Sequence, residues 1–337
     1  MSYLNTFVAA GLTAGLLFTT ACGPKGQPAE DSSEASTPKT VTIPDGPDAA
    51  IATIIQEVSK ANGGILWQAM PDAYQADLTE VVQLAGSKVD AEVYDKVASV
   101  VSRLGGIARD KQEFIFNTSL GGEPMPDKDK AKMQEAWPAV VALIDAVSGS
   151  QLGSVEGLQS FDGQQFFGGT VSDILKQVDR LSSLSAEPGS SLAELGQIVV
   201  SVVEASDSEA SLKLVVPHQP EEIESFTKVD GKWLPTEIVT EWSAQMAEAK
   251  AMLEALTPEA AAESKAQTMM MVGMIEGILG QVEAAQTQEQ FDAAIQGAMM
   301  PIMMMGMQMG GALGAGAAPE MPQGSAVPEA PALPLQQ

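Results

Sequence analysis

Apolar residues recur every three to four positions through most of the chain, alternate between 198 and 235, and then return to the helical spacing. Ile51, Ile54, Ile55 and Val58 predict a helix that stops at Asn62-Gly63-Gly64. Pro71, suited to a first turn, opens a second helix that carries Leu78, Val81, Val82 and Ala85 to Gly86. A third starts near Asp90 and runs through Val93, Val97, Val100, Val101 and Leu104 to Gly105-Gly106. The short links make antiparallel neighbours the expectation. A turn-rich stretch, GGEPMPDKDK, leads to a helix from about Asp127 to Val147, where Pro138 should kink or restart it near Trp137. A Gly-rich stretch follows, then a helix from about Thr170 to Leu184.

The alternating runs IVVSVVEA (198–205), SLKLVVP (211–217), IESFTKV (223–229) and KWLP (232–235) predict an antiparallel meander, with Asp230-Gly231 as a two-residue hairpin turn. The VDGKW element resembles a hairpin of many secreted small α+β domains, including NTF2-like ones. Helices are then expected from Thr236 to Leu256 and from Thr257-Pro258-Glu259 towards Ala285, with Thr287 to Gln290 as a capping box for a last one. The fold class read from this pattern is mainly α with a small antiparallel β-meander (α+β), a helical body between disordered termini.

Composition agrees with that class. Hydrophobic residues make up 45% of 337 and aromatics only 5%, so Ala, Val, Leu, Met and Gly build the core, a palette that favours close-packed helices. Acidic residues number 44 against 18 basic, and the net charge of −26 repels phosphate backbones, so nucleic acid is excluded as a partner. Outside the core two segments are rich in Pro, Gly and small polar or acidic residues: 22–48, read as a tether, and 311–337, read as a disordered tail. The division is therefore 1–21 leader, 22–48 tether, 49–195 helical, 196–236 meander, 237–310 helical with a Met-rich end, and 311–337 tail.

The leader brings in the sole cysteine. Met1 to Ala21 carries no charged side chain, and FVAAGLTAGLLF (7–18) covers about 18 Å, short of a membrane span but suited to a signal-peptide core. Thr19-Thr20-Ala21-Cys22 after Leu16-Leu17-Phe18 resembles the lipobox of bacterial lipoproteins. That resemblance implies cleavage between Ala21 and Cys22 and a diacylglycerol on the Cys22 thiol. Gly23 after the cysteine, rather than Asp, implies the outer membrane or cell surface. The expected localisation is extracytoplasmic and membrane-anchored, and the mature chain then holds no free thiol.

The remaining chemistry is sparse. Met300, Met303, Met304, Met305, Met307 and Met309 include pairs four apart, which a helix places on one face as soft ligands for Cu(I). Methionine also fills irregular apolar gaps, and no His or Cys lies nearby, so packing or an oligomer interface is the expectation and copper the alternative. Ala298 to Ala318 is uncharged, but Pro301, Gln308 and five glycines argue against a membrane span. His218, the only histidine, sits beside Glu221 and Glu222 in a Pro-flanked loop and lacks further zinc ligands in the sequence. Ser225-Phe226-Thr227-Lys228 matches Ser-x-x-Lys in letters only, since it falls in a strand. Asp127/Asp129 and Glu221/Glu222/Glu224 read as solvated faces. Trp67, Asp72 and Tyr74 around Pro71 read as core beside a helix start, with a pocket as the alternative. The resulting expectation is a lipid-anchored, non-catalytic binding or envelope-assembly protein with no cofactor, whose partners are the membrane through Cys22 and a protein or a second copy. A periplasmic Cu(I)-binding protein and a carboxylate-dependent hydrolase are the alternatives.

Overall fold

The computed structural model describes residues 41–118, 126–184, 191–217 and 219–298, and within 258–264 the backbone alone. Thirteen helices flank one four-stranded antiparallel sheet among these residues. The strands β1 (Val199–Ala205), β2 (Glu209–Val215), β3 (Glu222–Val229) and β4 (Lys232–Pro235) lie in sequence order, a meander. Asp230 (φ 49°) and Gly231 (φ 80°) make its tightest turn. Both central residues have positive φ, the conformation of a type I′ turn, whose twist matches the flanking strands.

Alternation decides which face of the sheet is covered. Ala210, Leu212, Leu214, Phe226 and Trp233 are buried on one side, and Ile223 and Val199 point to the other. Helix α1 (Pro47–Ser59) lies on the covered face, and its Ile51 and Ile55 join those five residues in one core cluster. The meander and the first helix therefore share a core. The glycines after α1 do not stop it: α1 ends at Ser59, and Ala61 (φ 58°) takes the left-handed turn. Gly63 instead lies where a Cβ would come within 2.6 Å of the Phe167 carbonyl oxygen, and Gly64 opens a short helix, α2 (Gly64–Ala69).

The helices α3 (Asp72–Lys88) and α4 (Ala91–Asp110) run past the glycines expected to end them. At Gly86 a Cβ would sit 2.7 Å from Leu158 Cβ, so this glycine lets two helices touch within a continuing helix. Asp90 caps α4 by accepting from the Val93 N–H at 3.1 Å. After α5 (Gln112–Asn117), helix α6 (Asp127–Ser148) continues through Pro138 without a break, where a restart was expected. Trp137 donates from Nε1 to the Ala108 carbonyl at 2.6 Å just before that proline, and Arg109 of α4 pairs with Asp145 at 2.6 Å beyond it.

The Gly-rich stretch is not a loop. It forms a 3₁₀ turn (Gln151–Gly153), α7 (Val155–Gln159), α8 (Gly163–Phe166), a π-helical turn (Phe167–Val171) and α9 (Ser172–Leu184), with side-chain caps from Ser150, Ser154 and Asp162. A further turn, α10 (Leu192–Leu195), leads into β1. Beyond the sheet come α11 (Thr236–Glu254), α12 (Pro258–Ala284) and α13, helical over 288–298. The capping box holds in a shifted form: the Gln290 N–H donates to Thr287 Oγ1 at 3.3 Å, and the Gln290 side chain accepts from the N–H of Gln286, not of Thr287.

Helices α4 and α12 run parallel. Lys265 pairs with Asp90 at 3.0 Å, Lys96 with Glu276 at 3.1 Å and Arg103 with Glu283 at 2.7 Å, in ascending order along both helices. Helix α13 folds back over them, with Phe291 and Ala294 packed in one cluster with Val100, Ile107, Val272, Leu279 and Val282. Among the described residues no helix is long and apolar enough to cross a membrane.

Candidate functional site

An apolar concavity lies where α1, α2, α3 and α11 meet the covered face of the sheet. It measures about 80 Å³ and opens partly to solvent. Ile51 and Ile55 of α1, Ala69 of α2, Phe226 of β3 and Trp233 of β4 form its floor, while Tyr74 of α3 and Trp242 of α11 form one wall. The wall is a stacked pair, with ring centroids 4.3 Å apart and planes inclined by 2°. Each contributing element has a local reason to be there. Pro71 precedes α3 and sets Tyr74 on its first turn; the Asp230-Gly231 turn returns β4 beside β3, so that Trp233 faces the same side as Phe226.

Polar groups around the cavity hold its shape. Trp242 donates from Nε1 to Asp77 Oδ2 at 3.1 Å, and Lys250 reaches Asp77 at 3.3 Å and Glu80 at 2.8 Å, clamping α11 to α3. These carboxylates push the Lys250 ammonium above its ordinary value, Glu80 first, so the clamp stays charged at neutral pH. Trp233 donates from Nε1 to the Asp45 carbonyl at 2.8 Å, and Lys228 lies 5.4 Å from the centre of its ring. Both indole N–H groups are thus spent outside the cavity. The Tyr74 hydroxyl makes no hydrogen bond among the described residues. Burial, then the charges of Asp230 and Asp77, raises its pKa, so it is a protonated donor.

Such a lining offers apolar contact and aromatic faces. An apolar cavity of about 150 Å³ in another protein stays dry and holds benzene, so about 80 Å³ suits a group of roughly three or four carbon atoms. A wider open concavity of about 690 Å³ runs along the solvent side of α3 past Trp67, Asp72 and Glu80. Its glutamines are already engaged: Gln75 donates to the Trp67 carbonyl at 2.8 Å, and Gln83 to the Phe161 carbonyl at 3.3 Å.

Of the residues singled out in the sequence, Tyr74 lines the cavity, whereas Trp67 packs on Phe167 with centroids 5.4 Å apart and Asp72 is exposed. Glu221 pairs with Lys213 at 3.3 Å. Ser225 and Lys228 lie three apart in β3 and so face opposite sides of the sheet. Asp127 and Asp129 are exposed in the first turn of α6. Glu224 is not a solvated residue: paired in register with fully buried Leu212, it has both carboxylate oxygens buried without a hydrogen bond. Burial, reinforced by Glu222 and Glu237, raises its pKa. Ala21, Cys22, His218 and Met300, Met303, Met304, Met305, Met307 and Met309 lie outside the described residues. Among the described residues no three His, Cys, Asp or Glu side chains are grouped to hold a metal ion.

Among the cavity's other aromatic residues, Trp233 belongs to the VDGKW element, while Phe226 and Trp242 carry periodicity alone. Either signal marks core without saying that the core has a gap. The chain matches no protein-family model, no curated protein and no solved structure.

Proposed function

We propose that the protein is a lipid-anchored, extracytoplasmic binding protein of the outer membrane or cell surface, and that the aromatic cavity receives a small apolar group of its partner or ligand. The lining of that cavity carries the reading. Its two indole N–H groups are satisfied elsewhere, and what faces inward is almost wholly hydrocarbon. Such a lining suits recognition of a short branched apolar tail, and places no base or nucleophile against it. Location is supported by Thr19-Thr20-Ala21-Cys22 and by the Pro- and Ser-containing acidic stretch that follows. One acyl chain binds a membrane only marginally, while two or three hold it stably.

Metabolic labelling with an alkyne fatty acid tests the anchor. Wild-type protein should carry the label and partition into detergent, and Cys22→Ala should lose both; equal labelling of the two would sink the anchor. For the cavity, titration with isobutanol should quench or shift tryptophan emission saturably. The Ala69→Leu chain, whose added side chain occupies the gap, should give no saturable change. A saturable response of equal size in Ala69→Leu would show that the alcohol binds elsewhere.

A further inference from the structure

Residues 270–277, Met-Met-Val-Gly-Met-Ile-Glu-Gly, and 303–310, Met-Met-Met-Gly-Met-Gln-Met-Gly, share the pattern Met-Met-x-Gly-Met-x-x-Gly. The first copy is in α12, where helical spacing puts Met270, Gly273, Met274 and Gly277 on one face. That face points away from α4. Val272 and Leu279 are buried on the other side, whereas Met270 is 73% and Met274 43% exposed, and a Cβ at Gly273 or Gly277 would meet nothing within 4 Å. Neither glycine is needed for a contact among the described residues, and each weakens the helix relative to alanine. What they provide is bare backbone that a second helix can approach closely, as small-xxx-small pairs do. The face is also uncharged from Ala266 to Ile275, in a chain whose net charge is −26.

Where the chain leaves the described structure bears on what covers this face. Helix α13 starts beside α5, with Gln288 donating to the Phe114 carbonyl at 3.1 Å, and runs back along α12 to Ala298, which is buried. Its eleven residues span about 16 Å, and its Phe291 and Ala294 share a cluster with Val272, Leu279 and Val282 of α12. In the sequence, Pro301 lacks the N–H that a continued helix would need and disfavours the helical conformation for the residue before it. Residues 299–302 reach about 13 Å, roughly one helix diameter, enough to pass from the α13 side of α12 to its outer face.

We propose that residues 303–310 pack as a helix on the Met270–Gly277 face of α12 in the same chain, methionines of each copy lying over glycines of the other. Flexible thioether side chains suit such a shallow, irregular contact.

Peroxide oxidation of the full-length protein, followed by mass spectrometry residue by residue, tests the contact. Met252, 62% exposed on α11, serves as the internal reference. Met270 should oxidise at least about five-fold more slowly than in a chain ended after Ala298, with Met252 unchanged between the two. Full-length Gly273→Leu/Gly277→Leu, which blocks the approach without touching the buried side of α12, should oxidise Met270 as fast as the shortened chain does. Met270 as reactive as Met252 in the full-length protein would overturn the proposal. Protection that disappears on about hundred-fold dilution would also overturn it, assigning the face to a second copy.

Discussion

The two ends of this molecule are built from different hydrophobic materials. Where the sheet meets α1, α3 and α11, the contacts are made by Tyr74, Phe226, Trp233 and Trp242, rigid rings with few rotamers. Where α4, α12 and α13 meet, they are made by Val100, Ile107, Val272, Leu279, Val282 and Ala294, with one aromatic pair, Phe114 and Phe291. The two indoles are held by hydrogen bonds at their edges and resist collapse into a gap, so the first region keeps a cavity. Aliphatic side chains adapt to one another, and the second region presents an apolar outer face at Met270 and Met274 and an open concavity of about 300 Å³ beside Arg103, Ile107 and Glu283. Under the proposed function, specificity for a small group would come from the first region; rigid rings suit a defined gap, whereas flexible aliphatic side chains suit adaptable contact.

The comparison breaks most visibly under truncation of a ring. Phe226→Ala should cost about 4 kcal/mol, because Phe226 is 1% exposed and fixed between Leu212 and Trp233; the cavity can only enlarge. Val272→Ala in the aliphatic region should cost about 2 kcal/mol, since its neighbours can close in. Urea unfolding of the two variants measures the difference, and equal losses would mean that the regions pack alike.

Glycine substitutions sharpen the contrast at a smaller scale. Gly86→Ala should destabilise by about 2 kcal/mol, since the new methyl meets Leu158 Cβ at 2.7 Å and the Gln159 nitrogen at 2.9 Å. Gly273→Ala, made in the chain ended after Ala298, should stabilise by up to about 1 kcal/mol, because the methyl points into open space and favours the helix. Thermal melts of both would settle the signs.

The smallest effect concerns the unpaired carboxylate near the sheet's buried face. The Glu224 pKa is raised in the folded protein, so its contribution to stability is full below its ordinary value of 4.5 and lost as pH rises through the raised folded value. Asp90 and Glu283 titrate the other way: their pKa values are lowered, by the Val93 N–H and by Arg103 respectively, and their contributions are lost only as pH falls through those depressed values. Glu224→Gln should therefore raise Tm by about 2 °C at pH 7 and leave it unchanged near pH 3. A constant offset at both pH values would remove the charge from the explanation.

The sequence and the structure meet where local chemistry decides. Asp230-Gly231 specified its turn through the φ values those residues accept, Asp90 its cap, and the alternation in 198–235 all four strands. Glycines misled, because Gly64, Gly86 and Gly105 read as stops from composition but serve helix starts and helix contacts whose partners lie far along the chain. The short capped helices between Gln151 and Phe166 were hidden for the same reason: their stability comes from packing on α3, and no three-turn periodicity marks them. The cavity was the least legible feature. Tyr74 read as core with a pocket as the alternative, and it serves as both, but a gap left by side chains from seven elements is a property of their arrangement and not of any one segment.

The central claim is that this cavity is a receptor for a small apolar group. Methyl NMR of the full-length protein during an isobutanol titration tests it most directly, with Met70 and Ile51 reporting on the cavity and Val272 and Leu279 on the aliphatic region. The account predicts saturable shifts at Met70 and Ile51 alone, abolished by Ala69→Leu. Uniform, non-saturating shifts across both regions, or shifts that persist in Ala69→Leu, would contradict it.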